Sequence, residues 1–284
     1  MVPGATMTTV AMHLARAAQM LSREHRCEAE TLLAFVLRRP RAWLIAHAHD
    51  AVDDATGMAF EALIARRCAG EPVAYLLGRC GFWALELQVG SDVLIPRADT
   101  ERLVECALEV LAVDRPAQVV DLGTGSGAIA LAIASERPLA DVIAVDASAA
   151  ALVTARANVQ ALGLSARVRL LQGDWLAPLA DAMVDVIVSN PPYIAQGDSH
   201  LREGDLRFEP LQALVSGADG LDAIRRIIGD APARLRAGGS LLLEHGWQQG
   251  AAVRELLTAA GFTAVSTYRD LEGRERVSFG RRPV

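Results

Sequence analysis

Lysine is absent from this chain: all 28 basic residues are arginine. A Schiff-base lysine, a P-loop lysine and any amine nucleophile from a side chain are excluded with it. The four cysteines, Cys27, Cys68, Cys80 and Cys106, contain no Cys-x-x-Cys pair. That spacing reads as reduced thiols filling space, and not as a disulfide framework or a zinc site. No stretch approaches the roughly 18 uninterrupted apolar residues of a spanning helix, and the charged-then-apolar pattern of a secretory signal is missing. The expectation is a soluble cytoplasmic protein. A surplus of positive charge is also lacking, since the formal net charge is -6. Tight binding to a nucleic-acid backbone is disfavoured, and a protein or small-molecule substrate favoured. There is no internal repeat or low-complexity tract.

What is present divides in two. With 284 residues the chain has material for a full-size α/β domain plus a smaller one. From Thr8 to Cys68 apolar residues recur at helical spacing, among them Val10, Leu14, Ala17, Leu21, Leu32, Leu33, Val36, Phe60 and Ile64, which predicts a small helical bundle. Between Gly70 and Ile95 the pattern changes to the alternation of Phe82 to Val89, which predicts a short β-hairpin. The domain boundary is placed in it: residues 1–72 helical, 73–95 a hairpin linker, 96–284 the larger domain. Past Gln118, strand-like runs near 118–121, 142–146, 167–171, 184–189 and 239–244 alternate with helical ones near 127–136, 148–162, 221–236 and 248–260. The alternation predicts a doubly wound, Rossmann-like parallel sheet. Thr263–Tyr268 and Arg276–Gly280, joined by a turn containing Gly273, should add an antiparallel pair at its edge.

Two segments carry chemistry. Val119-Val120-Asp121-Leu122-Gly123-Thr124-Gly125-Ser126-Gly127 reads as a buried strand breaking into a glycine turn and then a helix, the construction of a nucleotide-type cofactor cradle. Gly123, Gly125 and Ala128 formally satisfy the dinucleotide fingerprint, and Asp146 closes the next strand where an acid binds ribose hydroxyls. An NAD-dependent oxidoreductase makes the same marks. Asp121 and the extra Gly127 tilt the choice toward S-adenosylmethionine, which carries a sulfonium and an amino group and no phosphate. Asp174-Trp175, past the third strand, offers an acceptor for an adenine amino group and an aromatic face for its ring.

The second segment, Asn190-Pro191-Pro192-Tyr193, follows the apolar run 185–189 and so stands at a strand's carboxyl end, where open α/β sheets bind ligands. Asn190 can accept from a substrate N–H while donating elsewhere. The prolines remove two backbone donors and leave carbonyl acceptors beside it, and Tyr193 can wall off water. The pattern suits methyl transfer onto a planar nitrogen, carried by positioning and electrostatics. An adenine-N6 or other nucleic-acid amino methyltransferase fits the same clamp, and a non-catalytic binder that has lost turnover is a third reading. His47 and His49 have the spacing of a metal pair but no nearby third ligand, so no metal is expected.

With both segments in hand, the chain resembles the peptide chain release factor N5-glutamine methyltransferases over nearly its whole length. The resemblance also includes Gly70-Glu71-Pro72-Val73-Ala74-Tyr75-Leu76-Leu77-Gly78, Leu94-Ile95-Pro96-Arg97-Ala98-Asp99-Thr100-Glu101 and Arg207-Phe208-Glu209-Pro210. It continues through Ala213-Leu214, Asp219-Gly220, Leu243-Glu244-His245-Gly246-Trp247 and Arg269-Asp270. It implies an S-adenosylmethionine-dependent enzyme yielding S-adenosyl-L-homocysteine, with Gly123, Thr124, Gly125, Ser126 and Gly127 as the methionine-side loop. Asp146 is then at the ribose, with Asp174 and Trp175 at the adenine. Asn190, Pro191, Pro192 and Tyr193 become the catalytic and glutamine-binding set, Asn190 also facing the cofactor. The implied partners are class 1 release factors, methylated at the glutamine of their Gly-Gly-Gln motif to modulate termination and gripped in part by the helical domain. No nucleic acid or membrane partner is expected, and a monomer is. Ala98 stands where the family usually has proline after the Ile-Pro-Arg arginine, which predicts a less rigid loop. His245 is left out of the catalytic set as a packing residue.

Overall fold

The computed structural model describes residues 8–21 and 26–284, which divide into two compact units between Gly78 and Arg79. In the first, helices α1 (Val10–Met20), α2 (Arg26–Leu37), α3 (Arg41–Ala46), α4 (Asp54–Cys68) and α5 (Val73–Leu77) enclose a core containing Leu32, Leu33, Phe60 and Ile64. The helical periodicity of the sequence becomes this shared apolar face. Local chemistry fixes the helix starts: the Asp53 carboxylate caps α4 by accepting from the Thr56 N–H at 2.9 Å.

The stretch 73–95 is not one linker. Residues 73–77 form α5, whose Leu76 is buried in the helical core, and left-handed Gly78 (φ 68°) ends it. Only then comes the hairpin of β1 (Arg79–Phe82) and β2 (Leu85–Gln88), and it belongs to the second unit, with Phe82 and Leu87 in that unit's core. Burial of these side chains decides the division: Leu76 finds its apolar partners on one side of Gly78 and Phe82 on the other.

The second unit continues with α6 (Ala98–Val110), β3 (Ala117–Leu122), α7 (Ala128–Glu136), β4 (Ala140–Asp146), α8 (Ala149–Ala161), β5 (Val168–Gln172) and β6 (Val184–Ser189). Then follow α9 (Asp222–Asp230), β7 (Leu235–Glu244), α10 (Gly250–Ala259), β8 (Thr263–Arg269) and β9 (Glu275–Arg281). The seven strands run in the order β5-β4-β3-β6-β7-β9-β8. The five from β5 to β7 are parallel; β9 is antiparallel to both its neighbours. The expected antiparallel pair therefore forms, with β9 inserted inside the sheet and β8 at its edge. Because both faces are covered, the middle of each central strand is apolar, its side chains alternating between two cores. Val186 and Val188 enter one core with α6 and α7, whereas Ile187 enters the other with α9 and α10. Helix α7 is buried from Ala128 to Ala134, its alanines allowing close approach to the sheet.

The helix expected over 221–236 stops at Asp230: Pro232 permits one 3₁₀ turn, Ala231–Ala233, and the chain enters β7 at Leu235. Ala98, at the first helical position of α6, follows Arg97 in extended conformation (φ -105°, ψ 147°). The first N–H of a helix has no intrahelical partner, so proline is tolerated there, and an extended residue before it is what proline requires. Ala98→Pro is expected to raise stability by about 0.4–1 kcal/mol, read by denaturant unfolding.

Candidate active site

Strand order reverses between β3 and β6, and the two segments singled out above leave the carboxyl ends of these neighbouring strands. Ser189 ties the ends together by donating from Oγ to the Leu122 carbonyl at 2.7 Å. A cleft open to solvent lies there. It brings together Gly123, Gly125, Asp146, Asp174, Trp175, Asn190 and Pro192.

The glycine loop is held by carboxylates from two strands. Asp146, ending β4, accepts the Gly125 N–H on Oδ2 at 2.8 Å and the Ser148 N–H on Oδ1 at 2.9 Å. Asp121, fully buried in β3, accepts from Thr124 Oγ1 at 2.6 Å and from the Ala130 N–H at 3.2 Å, both on Oδ2. Its Oδ1 is buried without a hydrogen-bond partner among the described residues. Burial pushes its pKa up to about 7, against the lowering effect of those two hydrogen bonds. A carboxyl whose folded pKa lies above its unfolded value stabilises the fold fully below the unfolded value and loses that contribution as pH rises through the folded one. Relative to Asp121→Asn, the cofactor-free protein should therefore lose stability between pH about 4 and 7, by an amount on the order of 4 kcal/mol. Urea unfolding of both proteins across that range measures it.

Thr124, Ser126 and Gly127 build the loop and do not line the cleft. Thr124 serves Asp121, the Ser126 carbonyl accepts from Asn158 Nδ2 at 2.8 Å, and Gly127 (φ 87°) leaves room for Leu131 as α7 begins. Trp175, itself left-handed at φ 47°, lays its ring beside Gly123: a β-carbon there would stand 3.5 Å from Cζ3. The Asp174 carboxylate lies 3.4 Å from an Arg226 guanidinium nitrogen.

Asn190 is half-buried at the cleft and donates from Nδ2 to Thr100 Oγ1 at 3.1 Å. Pro191 is buried. Tyr193 does not line the cleft; its ring packs toward the core and its hydroxyl donates to Glu244 Oε1 at 3.3 Å. Burial pushes the pKa of the Tyr193 hydroxyl up, and that of Glu244 up to about 7. His245 bonds Ser278 Oγ through Nε2 and the Gly246 carbonyl through Nδ1, each at 2.9 Å, and burial lowers its pKa. His47 is stacked on Trp43 at 4.0 Å, with Nδ1 against that residue's carbonyl.

Residues the sequence reading did not place also line the cleft, among them Asp92, Leu94, Ser148, Pro210 and Gln212. Leu94 and Pro210 fall within motifs noted for the resemblance. Arg97 pairs with the buried Glu209 carboxylate, which ties the segment carrying Pro210 to the start of α6.

A family model for the PrmC N-terminal domain matches residues 13–78, and one for the methyltransferase small domain matches residues 98–205. The chain is 54% identical to a release factor glutamine methyltransferase of Xylella fastidiosa, across 95% of this chain and 98% of that protein. It is 47% identical to one of Escherichia coli, across 92% and 93% respectively. The chain belongs to the release factor glutamine methyltransferase family. A methyltransferase structure from Pyrococcus furiosus, 18% identical, covers 78% of this chain and 98% of its own with a TM-score of 0.54, a likeness of fold. As a member of the family this chain is a methyltransferase, and the crevice between β3 and β6 is the candidate for its active site. Among the described residues no helix is long and apolar enough to cross a membrane.

Proposed function

We propose that the chain transfers a methyl group from S-adenosylmethionine to the side-chain amide nitrogen of the glutamine in the Gly-Gly-Gln motif of class 1 release factors. A cytoplasmic setting and a role in modulating termination follow from that substrate. The observation that carries the reading is Asn190: an amide at the lip of the cleft with its Nδ2 already committed, so that its oxygen is the end left for a ligand N–H.

The cleft suits this cofactor. The partnerless Oδ1 of Asp121 marks acidity beneath the loop, compatible with a cationic ligand and not with a pyrophosphate. Asp146 has one lone pair per oxygen beyond its two backbone bonds, enough for a ribose diol. The Trp175 ring offers a face to adenine, while Asp174 is less suited to adenine because Arg226 competes for it. When bound, S-adenosylmethionine supplies a methyl group on a sulfonium leaving group. The chain's part is to prepare the nucleophile. An amide nitrogen is weakly nucleophilic because its lone pair is delocalised. In this reading Asn190 Oδ1 and the Pro191 carbonyl, with no backbone N–H between them to compete, accept both hydrogens of the glutamine NH₂. Two acceptors on one nitrogen raise its electron density, fix its plane and stand ready for the proton that leaves on methylation. Tyr193 contributes from behind the motif, through Glu244.

Labelled S-adenosylmethionine, incubated with a class 1 release factor and with the same factor lacking the Gly-Gly-Gln glutamine, tests the reading. Label on the first alone is expected; label on nucleic acid and on neither factor would overturn it. Asp146→Ala should weaken cofactor binding by about 2 kcal/mol, as loss of hydrogen bonds to a charged group does. Calorimetry finding unchanged affinity would take Asp146 out of the ribose role.

A further inference from the structure

Two of the motifs noted in the sequence, Leu94–Glu101 and Leu243–Trp247, send residues behind the Asn-Pro-Pro-Tyr segment. Thr100 is the third residue of α6 and 4% exposed; Glu244 ends β7 and is 1% exposed. The Thr100 hydroxyl accepts from Asn190 Nδ2 at 3.1 Å, and beside it lies the Glu244 carboxylate, whose ionised form it favours. Glu244 Oε1 takes the Tyr193 hydroxyl at 3.3 Å, and its Oε2 is buried without a hydrogen-bond partner among the described residues. The charged groups facing Glu244 are Asp99 from α6 and Arg276 from β9, the latter 3.1 Å from Asp99 and 3.2 Å from Asp270.

Thr100 Oγ1 takes the Nδ2 end of Asn190 and Glu244 Oε1 takes the Tyr193 hydroxyl, so both ends of the Asn-Pro-Pro-Tyr segment are held from behind. The two ends of an Asn amide have nearly the same shape, and only their hydrogen bonds distinguish them. A flipped Asn190 would present two hydrogens to a substrate NH₂, donor against donor. We propose that Thr100 and Glu244 are positioning residues for methyl transfer: Thr100 takes the Asn190 Nδ2 and leaves Oδ1 for the substrate nitrogen, while Glu244 holds the other end of the segment through the Tyr193 hydroxyl. The inference rests on the reading of Asn190 given above. Neither residue is placed at the substrate: Thr100 acts through Asn190 and Glu244 through Tyr193.

The chain has only two asparagines, Asn158 and Asn190, so asparagine-selective ¹⁵N labelling gives two side-chain NH₂ signals. Asn158, bonded to the Ser126 and Gln88 carbonyls, is the internal reference. In Thr100→Val the Asn190 pair should shift and exchange faster while the Asn158 pair stays. The turnover number on a release factor should fall about 100-fold, the scale of a misplaced reacting group, with cofactor affinity unchanged. Thr100→Ser, which keeps the hydroxyl, should restore both signal and turnover, and Glu244→Gln should lower turnover in the same direction. Wild-type turnover in Thr100→Val or in Glu244→Gln overturns the proposal, as does equal impairment of the Val and Ser variants. Wild-type protein run alongside separates the two levels. Its failure to label a release factor strikes at the substrate reading, whereas labelling at one rate by wild type and Thr100→Val strikes at the positioning alone.

Discussion

Asn190→Ala is expected to lower the turnover number by about 100-fold or more, the scale seen when a preorganised polar group is deleted from a reacting centre. Cofactor affinity should hardly change. The side chain stands where β6 ends, and β6 is fixed laterally by parallel pairing with β3 and by the Ser189 hydroxyl on the Leu122 carbonyl. Removing the amide therefore leaves the cradle in place and takes away one acceptor at the reacting nitrogen. Because Asn190 also lines the cleft, the split between affinity and rate is the informative readout. A parallel fall of both would assign Asn190 to the donor pocket. Single-turnover transfer to a release factor, together with calorimetry on the cofactor, distinguishes the cases.

The second large effect is expected at Gly220, which touches no reacting group. Its φ is 79°, and a β-carbon there would stand 2.2 Å from the Tyr193 carbonyl oxygen and 2.8 Å from Gln249 Nε2. That oxygen already accepts from Gln249 Nε2 at 3.0 Å, which clamps the end of the Asn-Pro-Pro-Tyr segment to the start of α10. Gly220→Ala must push Tyr193 aside, break the clamp, or force a left-handed alanine. Stability should fall by about 3 kcal/mol or more, and turnover should fall with it. Gly273→Ala is the control: its φ of 81° is equally left-handed, but no atom would lie within 4 Å of the new carbon. It should cost only about 1–2 kcal/mol. Equal losses in the two variants would show that backbone strain alone, and not the clamp on Tyr193, makes Gly220 necessary.

The parallel strands were legible because both faces of the sheet are buried, which writes each strand as an unbroken apolar run such as Val186-Ile187-Val188. The start of β7 was not, because Gly238 and Gly239 dilute its apolar signal and the residues before it continue a helical pattern until Pro232. The cleft's two main segments announced themselves through local chemistry, a glycine turn and an amide beside two prolines. Ser148 and Gln212 had no such mark: they reach the cleft only through turns whose paths depend on tertiary packing. The same limit hid the convergence of Thr100 and Glu244 on the Asn-Pro-Pro-Tyr segment, since they stand 144 residues apart and reach it through the order of strands and helices, not through any local period. Tyr193 was read as a wall of the pocket from its place in the motif; the buried acceptor that draws its hydroxyl inward lies on another strand.

The insertion of β9 between β7 and β8 bears on when the protein becomes competent as it leaves the ribosome. Strands β3 to β7 can pair as soon as they emerge, but Arg276, which reaches Asp99 beside Thr100, arrives on the last strand. Nascent chains halted before residue 275 should thus carry the cradle without a finished support for Asn190, and domains that assemble during synthesis pass through such stages. Cofactor capture should precede catalytic competence along the growing chain.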